Sequence, residues 1–167
     1  DLYSKKDVVV TITEKGYIKR IDVDQYKEQK RGGKGVIGSG LTEEDFVREL
    51  MTCNTHDYIL FFTSKGNVHW LKAYEIPEAE RYSKGKALTN LLSLKDETIA
   101  NVISVNKFED SLFMVTRQGV VKKTPLDNFS NPRASGVRAI NLPPDNSDNL
   151  IGVEVLKPKQ EILLATK

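Results

Sequence analysis

The chain has 167 residues, enough for one domain with a sizeable core, and its 39% hydrophobic and 29% charged content excludes a disordered polymer. With 25 Lys and Arg against 23 Asp and Glu, the net charge of +2 makes no case for an acidic partner, so any such case rests on where the cations lie. A single cysteine, Cys53, excludes an internal disulfide and fits a reducing cytoplasm; no apolar run approaches the ~18 residues that span a membrane, and Asp1–Lys6 has no signal-peptide character.

In chain order, the first expected element is Val8–Ile12, a short apolar run closed by Thr13 and followed by Glu14-Lys15-Gly16, a hairpin turn signal, and a second strand-like stretch from Tyr17. The same arrangement returns at Ile59–Phe62 with Thr63 and Gly66, and at Leu112–Val115 with Thr116 and Gly119. A fourth copy opens at Gln160–Thr166. The three glycines are 50 and 53 residues apart, and a second glycine follows each one, at Gly35, Gly85 and Gly136. Further strands are expected at Val47–Thr52, Ile99–Val105 and Leu150–Leu156, with short ones at Ala87–Leu92 and Val137–Leu142. No long helix is expected; Glu43–Leu50 is read as strand or loop.

Runs as short as Ile59–Phe62, apolar throughout and bounded by turns, suit strands buried on both faces. Four strands per unit of about fifty residues make a blade, and blades stack because one alone leaves a hydrophobic face open. The chain is therefore expected to be all-β, a propeller-like array of four-stranded blades, with about three present. The units are read as 7–45, 46–97 and 98–149, with a fourth starting at 150–167. Since three blades do not close a ring, a fragment of a larger array is expected.

Each unit carries a basic, glycine-containing loop. The first is Gln29-Lys30-Arg31-Gly32-Gly33-Lys34-Gly35, with three cations and three glycines in seven residues. Glycine permits close backbone approach and positive φ, and successive N–H groups in such a turn can cradle an anion. Arg31 can clamp a phosphate through two donors, while Lys30 and Lys34 act as point charges. The second loop is Arg81–Lys86, with Lys84 and Lys86 beside Gly85. The third runs from Asn131 to Arg138, with Arg133 and Arg138 flanking Gly136. Recurrence at the same place in each unit lays out a track. Three and four residues after the hairpin glycines stand Lys19 and Arg20, His69 and Trp70, and Lys122 and Lys123. The cations among them are expected to form a second row along the rim, with His69 reaching phosphate or solvent and Trp70 packing between blades.

Gln29–Gly35 resembles the signature box of DNA gyrase A subunits, a Gln-basic-basic-Gly-Gly-x-Gly heptapeptide, and the surrounding repeat resembles the C-terminal β-pinwheel of that family from about Asp7 onward. Family members usually carry Arg where this chain has Lys30, which keeps the charge and loses the bidentate fork. The resemblance implies a module that wraps double-stranded DNA around a basic rim, mainly through phosphates. It implies work with the other gyrase A domains and the gyrase B subunit in a heterotetramer, supporting ATP-dependent negative supercoiling in a bacterial cytoplasm. It places the gate tyrosine, ATP and Mg outside this region, so neither catalytic residues nor a cofactor is expected here.

Other readings lack their context. Gly33–Gly38 matches G-x-G-x-x-G, but no strand precedes it and no long helix is expected after it. No phosphate-binding G-x-x-x-x-G-K-[ST] loop or G-x-S-x-G elbow occurs, and two histidines with one cysteine make a metal site unexpected. Two alternatives remain. One is the C-terminal domain of a topoisomerase IV subunit, whose box is usually degraded. The other is a propeller-like protein-interaction scaffold.

Overall fold

The computed structural model describes residues 2–31, 45–80 and 82–157, without the Lys30 side chain. Its strands are β1 (Asp7–Thr13), β2 (Tyr17–Asp22), β3 (Val47–Asn54), β4 (Tyr58–Thr63), β5 (Asn67–Lys72), β6 (Lys86–Ala87), β7 (Ile99–Val105), β8 (Ser111–Thr116), β9 (Val121–Pro125), β10 (Val137–Arg138) and β11 (Leu150–Leu156). They form three antiparallel sheets ordered β3-β1-β2-β6, β7-β4-β5-β10 and β11-β8-β9. The all-β blade architecture is as expected, but the sheets cut across the sequence units. β3 pairs with β1 of the unit before it, and the two-residue strands after the second and third basic loops pair with the preceding unit's hairpin: Lys86 faces Ile18 and Val137 faces Val68.

The repeated residues build the same turn three times. Gly16, Gly66 and Gly119 have φ of +85°, +84° and +88°, and each donates its N–H to the carbonyl of the closing threonine at 2.9–3.0 Å. That threonine hydroxyl accepts the N–H four residues on, from Tyr17, Asn67 or Val120, at 3.1 Å. An acid from the next strand's approach completes the turn. Asp45 accepts from the Lys15 and Phe46 N–H groups, Asp148 from those of Gln118 and Asn149, and Glu97 takes the Thr63 hydroxyl at 2.6 Å. Asp57 caps the loop before its strand by accepting from the Asn54 N–H.

β4 explains why its sequence is apolar without alternation. Ile59 and Phe61 enter one core with Val8, Val10, Ile18 and Leu88, while Leu60 and Phe62 enter a second with Trp70, Leu112, Met114 and Phe129. The middle sheet is thus buried on both faces. β3 approaches β7 and β7 approaches β11, so the sheets converge on that side, and the second and third basic loops leave from the opposite edge.

No long helix is expected from the sequence, and the helix that does form, α1 (Val23–Arg31), has nine residues and lies against β1 and β2. In the later units the second strand also leads into a helical turn, but only three or four residues long: Ala73–Glu75 and Leu126–Phe129. Pro77 follows closely in the one and Pro132 in the other, and a residue before proline disfavours helical backbone. The first unit has no proline there. Its Gln, Lys, Glu and Arg are good helix formers, and Asp24 sits favourably in the first turn. Only Val23 and Tyr26 supply an apolar spacing, too little for a periodic signal.

Candidate nucleic-acid interface

The second basic loop is built on the preceding repeat. The segment before it runs along the outer edge of β2: Arg20 donates its N–H to the Pro77 carbonyl at 3.1 Å and its carbonyl accepts from Ala79 at 3.1 Å. The chain then leaves the edge, turns with a Ser83 to Glu80 bond of 3.0 Å, and returns as β6 opposite Tyr17 and Ile18. Gly85 lies so close to β2 that a Cβ there would stand 2.4 Å from the Ile18 carbonyl oxygen, and its φ is +84°. Lys84 and Lys86 are exposed, and the Lys84 ammonium sits 4.1 Å from the centre of the Tyr17 ring. Tyr82 projects at the tip, 63% exposed.

The third loop repeats the plan. Gly136 presses on β5, where a Cβ would stand 2.7 Å from His69 Cε1. Ala139 and Ile140 donate to the Gly66 carbonyl as Leu88 does to that of Gly16. Arg133 and Arg138 are exposed. These two loops therefore present Lys84, Lys86, Arg133 and Arg138 along one edge of successive sheets.

In the first loop, Gln29, Lys30 and Arg31 form the last turn of α1, not an open loop. Arg31 thus stands where a helix favours positive charge. Arg31 is exposed and Gln29 half-buried. Gly32, Gly33, Lys34 and Gly35 lie outside the described residues, as does Arg81.

The second row does not exist as expected in the first two units. Lys19 is 3% exposed, and its ammonium donates to the Ser83 carbonyl at 2.8 Å and the Glu80 carbonyl at 3.5 Å. Burial holds its pKa below the ordinary lysine value. Arg20 is also buried; its Nε donates to the Ile76 carbonyl at 2.7 Å and its guanidinium lies 3.9 Å from Glu78. These side chains turn inward because the following repeat covers the strand that carries them. His69 is buried rather than solvent-facing, with Nε2 3.5 Å from Glu97. Trp70 does pack between sheets, and its Nε1 donates to the Phe129 carbonyl at 2.9 Å, the counterpart of the Arg20 bond. Lys122 and Lys123 on β9 are exposed, with the Lys122 ammonium 3.2 Å from the Ala139 carbonyl.

The acids at the turns carry no local sequence signal, because their partners lie some thirty residues away. Burial alone raises the Glu97 carboxyl, but hydrogen bonds from Thr63, Asn67 and the Lys95 N–H, with His69 beside it, outweigh this and hold it below the usual range. Asp45 and Asp148 are lowered likewise, the Thr13 or Thr116 hydroxyl and backbone N–H groups overcoming desolvation. They stabilise turns. Cys53 is buried, and desolvation with Asp57 and Asp7 nearby pushes its thiol up to about 11, so it is a packing residue. Among the described residues no cluster of His, Cys, Asp and Glu could hold a metal, and no helix is long and apolar enough to cross a membrane.

A family model described as the DNA gyrase C-terminal domain, beta-propeller, matches residues 7–54, 57–106 and 110–157. The chain belongs to that family. The matched segments are the units the sheets are made of: each holds a hairpin and the strand that pairs behind it, β1 to β3, β4 to β7 and β8 to β11. Among curated relatives, the DNA gyrase A protein of Mycolicibacterium smegmatis is 47% identical over 169 residues, covering 99% of the chain and 20% of the relative. That of Streptococcus pneumoniae is 47% identical over 171 residues, covering 100% and 21%. The chain thus spans about a fifth of the length of these relatives. Among solved structures, the C-terminal domain of a DNA topoisomerase IV is similar at a TM-score of 0.75 and 31% identity, over 91% of this chain and 46% of that one. A DNA gyrase A C-terminal domain is similar at 0.69 and 28%, over 92% and 49%.

Proposed function

We propose that this gyrase-family domain binds double-stranded DNA along the edge that carries its basic loops and bends it, as the wrapping module of a gyrase A protein. The observation that supports this best is the recurrence of exposed Lys84, Lys86, Arg133 and Arg138 at one edge of consecutive sheets. Phosphates are read by such loops without base identity, so binding is largely sequence-independent and weakens steeply with salt. Bending a 20–30 bp site costs roughly 1–6 kcal/mol, and contacts spread over several loops offset it. Gln29–Gly35, whose match to the gyrase box is a sequence match, anchors the wrap. In the whole enzyme the bent DNA is presented to a gate formed by the other gyrase A domains with the gyrase B subunit, where ATP and Mg act. The domain itself catalyses nothing.

Duplexes labelled at both ends test this: energy transfer rises when the domain binds if it bends DNA, and binding without a rise sinks the wrapping claim. Alanines across Gln29–Gly35 in the complete enzyme are expected to spare relaxation and abolish supercoiling. The topoisomerase IV reading is favoured by the 0.75 TM-score, and it predicts that the same substitution leaves activity intact.

A further inference from the structure

The second basic loop leaves the edge of β2 after Ala79 and rejoins it at Lys86, and between these points the Lys19 side chain of the preceding repeat touches it. Its ammonium reaches both ends of the turn that begins the loop, the Glu80 and Ser83 carbonyls, from a strand of the repeat before. On the neighbouring strand positions Tyr17 lies under Lys84 and Ile18 under Gly85. A cation 3% exposed beneath the loop has no access to a phosphate, but two carbonyls held by one buried charge fix the loop's neck.

We infer that Lys19 is a positioning residue for the second basic loop: its buried ammonium, borne by one repeat, closes the neck of the loop that the next repeat presents to DNA. The role is structurally specific. At the equivalent place in the next pair, His69 touches Gly136 by its ring and directs Nε2 to Glu97, so the third loop is seated by ring packing. Lys19 thus couples two repeats: what the second unit offers to DNA is shaped by the first.

The DNA arm of the test rests on the wrapping reading; the structural arm does not. Lys19→Met keeps the apolar stem and removes the donor. Hydrogen exchange in the free chain is expected to quicken about tenfold at the amides of Tyr82–Lys86, the effect of losing a charged hydrogen bond, while Val8–Ile12 stay protected. Contacts between Lys19 Hε and Ser83 in the magnetic resonance spectrum of the unsubstituted chain check the geometry without any variant, and their absence overturns it. Lys19→Met is expected to weaken DNA binding alone, and to add nothing when Lys84 and Lys86 are already alanine. Unchanged exchange at Tyr82–Lys86, or a full additive loss in that background, overturns the inference, since either makes Lys19 a direct contact or a bystander. If the unsubstituted chain binds no DNA, the wrapping reading fails and the exchange result still decides the role of Lys19.

Discussion

Gly119 and Gly85 do two different jobs, and their substitutions separate them. Gly119 has φ of +88° and open space where a Cβ would go, so Gly119→Ala costs only left-handed strain, about 1 kcal/mol. Gly85 combines φ of +84° with a backbone oxygen 2.4 Å from the Cβ position, and Gly85→Ala should cost about 3 kcal/mol. Urea titration of the two variants checks the ranking, and equal losses would contradict it. The glycine period is legible in the sequence, but which glycine meets a neighbour is not, because the neighbour is fifty or more residues away. Glu97 is hidden by the same kind of distance. Its folded pKa is depressed, so the stability it contributes is present above the unfolded value of about 4.3 and is lost as pH falls through the lower folded value. Glu97→Gln should therefore flatten the acid limb of a stability-against-pH curve below about pH 4.3 and lower stability at pH 7. A variant whose acid limb matches the parent's would refute the role of this carboxylate.

At the scale of elements, strands bounded by a threonine and a glycine are readable because each turn is closed by residues within four positions. β3 is readable as a strand, whereas of the strands expected at Ala87–Leu92 and Val137–Leu142 only the two-residue β6 and β10 form, Leu88–Asn90 being a helical turn; none is readable as a partner of the preceding hairpin, since nothing local says which edge it will join. α1 is illegible for another reason: it is stabilised by propensity and by docking on β1 and β2, with almost no apolar stripe. Lys27→Pro is accordingly expected to remove α1, since an interior proline costs about 3 kcal/mol. The three sheets, held by two cores shared between neighbouring sheets, should persist. Circular dichroism should lose its small helical component while the unfolding midpoint of the sheets moves little. If α1 sets the approach of the box to DNA, the variant also bends labelled duplexes less, and unchanged bending separates the box from its helix.

Among the described residues, the first two sheets are each finished by the repeat that follows, and the third has no strand beyond β9. The residue two beyond the hairpin glycine is Ile18 in the first sheet and Val68 in the second, both fully buried beside β6 and β10, whereas Val121 on β9 is 44% exposed. Lys122 and Lys123 beside it stand where Lys19 and Arg20, or His69 and Trp70, are covered. The solved gyrase A relative is about twice as long as the matched region, which covers 49% of it. In a protein of that extent a further repeat would lay its loop and short strand on β9. The exposure of Lys122 and Lys123, which made them candidates for DNA contact, would then disappear, and they would become internal donors like Lys19 and Arg20. A polar substitution reads this out. Val121→Asp in the 167-residue chain falls on a half-open surface and should change stability by no more than about 0.5 kcal/mol. In the longer protein the same carboxylate would be buried without a partner, at a cost of at least ~3 kcal/mol. Lysine acylation followed by mass spectrometry should label Lys122 and Lys123 in the short chain and spare them in the long one, while Lys84 and Lys86 react in both. Equal labelling of Lys123 in the two would mean that the β9 edge stays open and that its cations remain candidates for DNA contact.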